Sequence, residues 1–215
     1  VSAPLTHIAD SVGTVALVNF MVGFLWIFGL HGANIVGAVT SPILKPLSLE
    51  NVATYATGQT PPHIYTEEFG IAYVNLGGSG ATIGLVILMF FKAKSEQYKS
   101  FGKLTLPCGI FSVNEPVIFG LPVILNPIML IPFILCPIVL VCLGYALIQF
   151  GIVTAPIGIL GLGSMPPLIS GIMQGSLSWG IFQLVAVVIS IIIYYPFFKT
   201  LDNQALMNEK GDQHE

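Results

Sequence analysis

Glu115 is the one charged residue between Lys103 and Lys199, and it lies between Asn114 and Pro116 in the apolar run LPCGIFSVNEPVIFGLP. A carboxylate inside a membrane costs at least about 2.5–3.5 kcal/mol on insertion scales, so such a group is a functional-site candidate by default. Its oxygens accept hydrogen bonds from hydroxyls or amines, or take a proton. The bland alternative places it at a membrane surface or on backbone N–H groups freed beside the proline. His31 sits in WIFGLHGANIVG, where a long apolar run gives way to small residues. Its imidazole can donate, accept and titrate near neutral pH, or simply face headgroups. Asn34, Asn75 and Asn114 add polar handles beside the same breaks.

Other chemistry is poorly provided for. There is no Arg, so bidentate guanidinium clamping of phosphate or carboxylate is unavailable. GGSGAT at 77–82 has glycines enough for a phosphate loop but lacks its GK[ST] ending. Close backbone packing or backbone contact with an uncharged ligand is expected there instead, through Gly78 and Ser79. His7, His63 and His214 have no metal-ligand spacing and are expected to be solvated. Cys108, Cys136 and Cys142 form no CxxC pair and read as small core residues. No metal, cofactor or nucleic-acid partner is expected.

The elements that position these residues follow from the distribution of charge. The chain has 215 residues, 54% apolar and 8% charged, against about 25% charged in a soluble domain. Residues 11–44, 69–91 and 116–198 carry no Asp, Glu, Lys or Arg at all. A bilayer-crossing helix needs about 20 apolar residues, so the chain reads as an all-α polytopic membrane protein. Residues 11–30 form a first expected span, with the regular helix ending by Pro42 and a loop or surface-lying segment over 45–68. Residues 69–91 are long enough to span but are interrupted by Gly77, Gly78, Ser79 and Gly80.

Residues 92–103 hold four of the seven lysines, which marks a cytoplasmic loop by the positive-inside rule. Docking of a cytoplasmic partner is a lesser possibility for that cluster. Residues 200–215 read as a polar tail placed on the same side by parity. Ten of the fifteen prolines fall within 104–198. Freed backbone groups at membrane depth are tolerated only when buried in protein or lining a wet cavity. Residues 105–127 and 151–171 are therefore expected to be broken or re-entrant, with full spans at about 128–150 and 174–198. Broken apolar segments are the best sequence pointer to a transporter's site.

The run N-E-P-V-I-F-G-x-P-x-x-L-N-P at Asn114–Pro127 resembles the membrane permease, enzyme IIC, of the bacterial phosphotransferase system, lactose/cellobiose family. W-x-F-G-x-H-G at Trp26–Gly32, G-G-S-G-A-T at Gly77–Thr82 and P-P-L-I-S-G at Pro166–Gly171 follow in the family's order. GSLSWG at 175–180 departs from the G-G-D-W-R run frequent in relatives. The resemblance covers nearly all of this chain and the C-terminal, substrate-binding half of the family's usual length. The family's N-terminal helical bundle, associated with homodimerisation, is expected to be missing, in keeping with a chain that begins at Val1 without a signal-peptide pattern. The short polar tail leaves no fused IIB domain in view, as in separately encoded cellobiose-type permeases.

The resemblance implies binding of a β-linked disaccharide and its carriage across the bacterial cytoplasmic membrane by alternating access. A separate cytoplasmic IIB protein, itself supplied by IIA, then phosphorylates the 6-hydroxyl from a phosphocysteine. It also implies that His31 and Glu115 bind sugar, with Asn114, Asn34, Gly78 and Ser79 beside them. No catalytic residue is expected on this chain, although Glu115 is placed to polarise the 6-hydroxyl. Two other functions fit the residues alone. One is a proton-coupled sugar transporter using Glu115 and His31 as carriers, and the other a non-transporting subunit of a membrane complex.

Overall fold

A computed structural model describes residues 10–70, 76–121, 126–159 and 161–212. Among them every regular element is helical. Helix α1, Val12–Ile27, begins at Ser11, whose hydroxyl accepts from the Thr14 N–H. It ends at a turn in which Gly29 has a positive φ. Helix α2, Gly32–Ala56, starts at His31 and runs through both Pro42 and Pro46. The helix therefore does not end at Pro42, and residues 45–56, expected as a loop or a surface-lying segment, are helical. Each proline removes one ladder bond, but inward polar contacts from this helix offset the loss. Ser41 donates to Glu67 (2.8 Å), Ser48 to Glu68 (2.7 Å), and the Asn51 side-chain amide bonds both the C=O and the N–H of His63.

The segment 69–91 is not one spanning helix. After the single turn Glu67–Phe69, the described chain resumes at Leu76 in a series of turns through Thr82. Helix α3 then occupies only Ile83–Lys92. The lysine-rich stretch expected as a loop is a tight turn at 93–95 followed by the opening of helix α4, Glu96–Ile110. Ser95 caps α4 from its side chain, and Lys99 pairs with Glu96 at 2.7 Å; with Lys92 ending α3, three of the four lysines lie on helices. Helices α3 and α4 pack side by side as a hairpin. A break at 111–114 leads into the short helix α5, Glu115–Gly120.

Two helices are long and apolar enough to cross a membrane by length and composition, α6 at Pro127–Gln149 and the following long helix up to Gly211. Between them the chain is irregular over 150–159, with a 3-10 turn at Leu162–Ser164 and the short helix α7, Ile169–Met173. The second broken segment thus lies where the prolines place it. Helix α8, Leu177–Asp212, has 36 residues, about 54 Å at 1.5 Å per residue, well beyond the roughly 30 Å hydrocarbon thickness. Residues 200–212 are consequently the end of α8 rather than a loose tail.

Packing is organised around α8, which touches α3, α6 and α7, while α1 lies on α6. Its polar residues each hold a place where another helix is broken. Asp202 accepts from the N–H groups of Lys94 and Ser95 and from the Ser95 hydroxyl, and Glu209 accepts from Glu96 and Gln97 N–H. Buried Gln183 accepts from Leu168 N–H (2.8 Å) and Gly171 N–H (2.9 Å), fixing α7. The departing GSLSWG run serves the same segment, since fully buried Trp179 donates from Nε1 to the Thr154 carbonyl at 2.6 Å.

Gly84 lets α3 approach α8 closely, because a Cβ there would collide with the backbone of Ser190 and Ile191. Alanine would ordinarily favour a helix by up to about 1 kcal/mol over glycine. Here Gly84→Ala is expected to destabilise instead, by about 1–3 kcal/mol as overpacking does, read as a lower unfolding midpoint in detergent.

Candidate functional site

The turn at Leu76–Thr82 and the break at Phe111–Asn114 meet face to face. Gly77, Gly78, Gly80 and Ala81 all have positive φ, and a Cβ on Gly78 would collide with the Asn114 side chain. Only glycine admits both conditions at residue 78. Buried Asn114 donates through Nδ2 to the Ser79 carbonyl at 2.6 Å and to the Thr82 hydroxyl at 3.4 Å. Gly77 N–H donates to Ser112 Oγ at 3.4 Å.

The carbonyls released by this turn have further partners. Ser190 donates to the Ala81 carbonyl (2.6 Å) and accepts from Gly84 N–H (3.1 Å). The Tyr194 hydroxyl donates to the Gly80 carbonyl at 2.7 Å, and the Thr82 hydroxyl to that of Gly77. Both Ser190 and Tyr194 are fully buried. They lie one helical turn apart on α8, so one face of that helix meets two of the released carbonyls.

Glu115 follows directly on this clasp, at the start of α5, with its side chain half exposed. His31 reaches the same point from the start of α2. Its Nδ1 accepts from Asn34 N–H at 3.2 Å, and its ring packs on buried Trp26 with centroids 4.7 Å apart. A ring whose Nδ1 accepts carries its proton on Nε2 when neutral. That Nε2 stands 3.9 Å from Glu115 Oε1, too far for a direct hydrogen bond. An oxygen atom about 2.8 Å from each would sit beside the pair, off the line that joins them. Such a hydroxyl accepts from His31 and donates to Glu115.

A cleft of about 180 Å³ surrounds this pair, lined also by Gly78, Ser79, Ser112, Asn114 and Gly163. Of the residues singled out in the sequence, His31, Glu115, Asn114, Gly78 and Ser79 come together. Asn114 and the Ser79 carbonyl are engaged with each other, so they build the wall. Asn34 does not line this cleft; it serves it through its backbone N–H and lines a neighbouring cavity. Asn75, His7 and His214 lie outside the described residues.

Sequence reading overlooked Ser112 and Gly163, which have no signature beyond their place in breaks. It overlooked Ser190 and Tyr194 too, although polar residues four apart in an apolar helix are a usable signal. His63 is not solvated as expected, being 14% exposed with Nε2 3.0 Å from Glu50 and Nδ1 3.5 Å from Asp10. The cysteines are free; Cys136 is buried, while Cys108 and Cys142 are only partly so. Among the described residues no group of His, Cys, Asp and Glu could hold a metal ion.

Long apolar helices packed around two broken segments, with a carboxylate and an imidazole where the breaks meet, define a polytopic α-helical membrane protein. The chain belongs to the family described as "Phosphotransferase system, EIIC", which residues 2–137 match. It is 41% identical over 208 residues to the lichenan permease IIC component of Bacillus subtilis (strain 168), covering 96% of this chain and 46% of the relative. It is 41% identical over 213 residues to the cellobiose-specific EIIC component of Geobacillus stearothermophilus, covering 97% of this chain and 47% of that one. Among solved structures it is similar to the crystal structure of ChbC, the IIC component of an N,N'-diacetylchitobiose-specific phosphotransferase system. That similarity has a TM-score of 0.95 and 40% identity, over 97% of this chain and 49% of ChbC. The chain spans about half the length of the curated relatives it matches.

Removing the α8 hydroxyls leaves buried carbonyls unpaired, at about 1–3 kcal/mol each. Ser190→Ala and Tyr194→Phe are each expected to lower the unfolding midpoint in detergent. Hydrogen exchange at residues 76–84 should rise more than exchange in α1.

Proposed function

We propose that this chain forms the sugar-binding part of a phosphotransferase-system permease that carries a β-linked, cellobiose-type disaccharide across the bacterial cytoplasmic membrane. The observation that supports it most is the 3.9 Å separation of His31 Nε2 and Glu115 Oε1, which one hydroxyl beside the pair can bridge. The relatives named for cellobiose and for N,N'-diacetylchitobiose systems supply the substrate class. Large exposed side chains such as Leu17, Val188 and Ile192 face lipid in this reading. The hairpin turn at 93–95, with the α8 end bonded to it, lies on the cytoplasmic side with its lysines.

The gap also gives a chemistry. With the sugar 6-hydroxyl bridging the two groups, His31 orients its oxygen and Glu115 draws on its proton. In transfer from a IIB phosphocysteine, O6 bonds to phosphorus, the P–S bond breaks and the thiolate leaves. The hydroxyl proton passes to Glu115.

Glu115→Gln is expected to weaken cellobiose binding by about tenfold or more, since hydrogen bonds to charged groups contribute about 1.5–3 kcal/mol. Asparagine caps helices well, whereas alanine loses about 1 kcal/mol of cap. His31→Asn is therefore expected to keep the unfolding midpoint and lose sugar affinity, while His31→Ala loses both. Cellobiose titration and thermal unfolding of the purified variants separate these outcomes. Unchanged binding in Glu115→Gln and His31→Asn would sink the proposal.

A further inference from the structure

Leu168, in the second break, has a backbone that leucine rarely adopts. Its φ is +75° and its ψ −52°, close to the γ-turn of positive φ, which is rare and strained. A bulky residue there is an outlier that persists only where the surrounding structure holds it.

The hold comes from α8, on which α7 packs. Gln183 is fully buried, and its Oε1 accepts from Leu168 N–H at 2.8 Å and from Gly171 N–H at 2.9 Å. Its Nε2 donates to Ser170 Oγ at 2.9 Å. Strain at one residue thus stands against the bonds of one side chain. Elements balanced in this way have two arrangements of similar energy.

The segment Gly161–Met173 is also tied at its base. Gln174 Nε2 donates to the Ile159 carbonyl at 2.8 Å, and Ile157 N–H donates to the Gln174 carbonyl at 3.3 Å. Gly161 and Gly175 flank the segment with φ of +88° and +127°, where glycine turns without steric cost. Compact loops whose ends meet are frequently functional. This one reaches the site, because Gly163 lines the cleft with His31 and Glu115. On its other side Ile169, Ile172 and Met173 are exposed.

We propose that Gly161–Met173 is a strap over the His31–Glu115 cleft, latched by Gln183 and loaded by the strain at Leu168. Latched, it holds Gly163 against the bound sugar. Released, Leu168 relaxes and the cleft opens for the sugar to leave. The role of the strap rests on the sugar-binding reading of that pair.

Two substitutions push the strap in opposite directions. Leu168→Gly removes the strain but keeps the N–H that Gln183 accepts, so it favours the latched arrangement. Gln183→Leu keeps the strain and removes the acceptor, so it favours release.

The test measures two rates in the purified chain and both variants. One is cellobiose release by stopped flow, and the other is hydrogen exchange of residues 168–173 without sugar, which reports local opening. Unfolding midpoints verify that each variant is folded. Leu168→Gly is expected to slow both rates by about fivefold or more, the scale of one strained backbone position. Gln183→Leu is expected to speed both. A purely structural role predicts instead that the lost leucine contacts lower the midpoint and that release is not slowed. Release and exchange unchanged or faster in Leu168→Gly would overturn the strap, whatever Gln183→Leu does. An unsubstituted chain that binds no cellobiose would overturn the reading of the cleft, and the latch is then decided by exchange alone.

Discussion

A backbone that stops being helical within an apolar protein must find partners for every N–H and C=O it releases. The turn at residues 76–82 releases carbonyls of Gly77, Gly80 and Ala81, and each is met by a hydroxyl, two of them from α8. The second break is met by Gln183 on the same helix, and the hairpin turn by Asp202. One long helix thus presents a row of polar side chains to three interruptions. Its exposed Ile181, Leu184, Val185, Val188 and Ile192 are apolar, which suits the lipid expected outside.

That arrangement is what makes a binding site possible. A continuous helix would keep its backbone polarity inside its own ladder and offer only side chains. Here the clasp between Asn114 and Ser79 fixes two breaks against each other and sets Glu115 at their edge, half exposed. His31 is oriented from the other side by a bond that is also a helix cap, so its tautomer and its direction have a single cause. The rigid part of the site is made of groups bonded to one another, and the two groups left open are the two aimed at the gap.

Much of this was legible in the sequence, and the limits have physical causes. Scarce charge and its clustering defined the membrane class, and proline density located both irregular segments. α6 at Pro127–Gln149 falls within a residue of its expected span. A lone Glu beside Pro116 and a His at the end of an apolar run were sound guides to the cleft. Proline misled at Pro42 and Pro46, because local propensity says nothing of the contacts Ser41, Ser48 and Asn51 make across the fold. Length misled at 69–91 and at the tail. Counting apolar residues cannot show that α3 is a short half of a hairpin, or that Asp202 and Glu209 have partners that keep α8 ordered to its end. Asn34 meets the cleft through its backbone N–H, which bonds His31, and lines the neighbouring cavity.

The central claim is that one sugar hydroxyl bridges His31 and Glu115. A structure of the chain with cellobiose bound tests it most directly. The account predicts a hydroxyl oxygen within hydrogen-bond distance of both His31 Nε2 and a Glu115 carboxylate oxygen, with Asn114 still bonded to Ser79. Cellobiose bound with neither side chain in reach, or with His31 turned so that Nδ1 leaves Asn34, would contradict it.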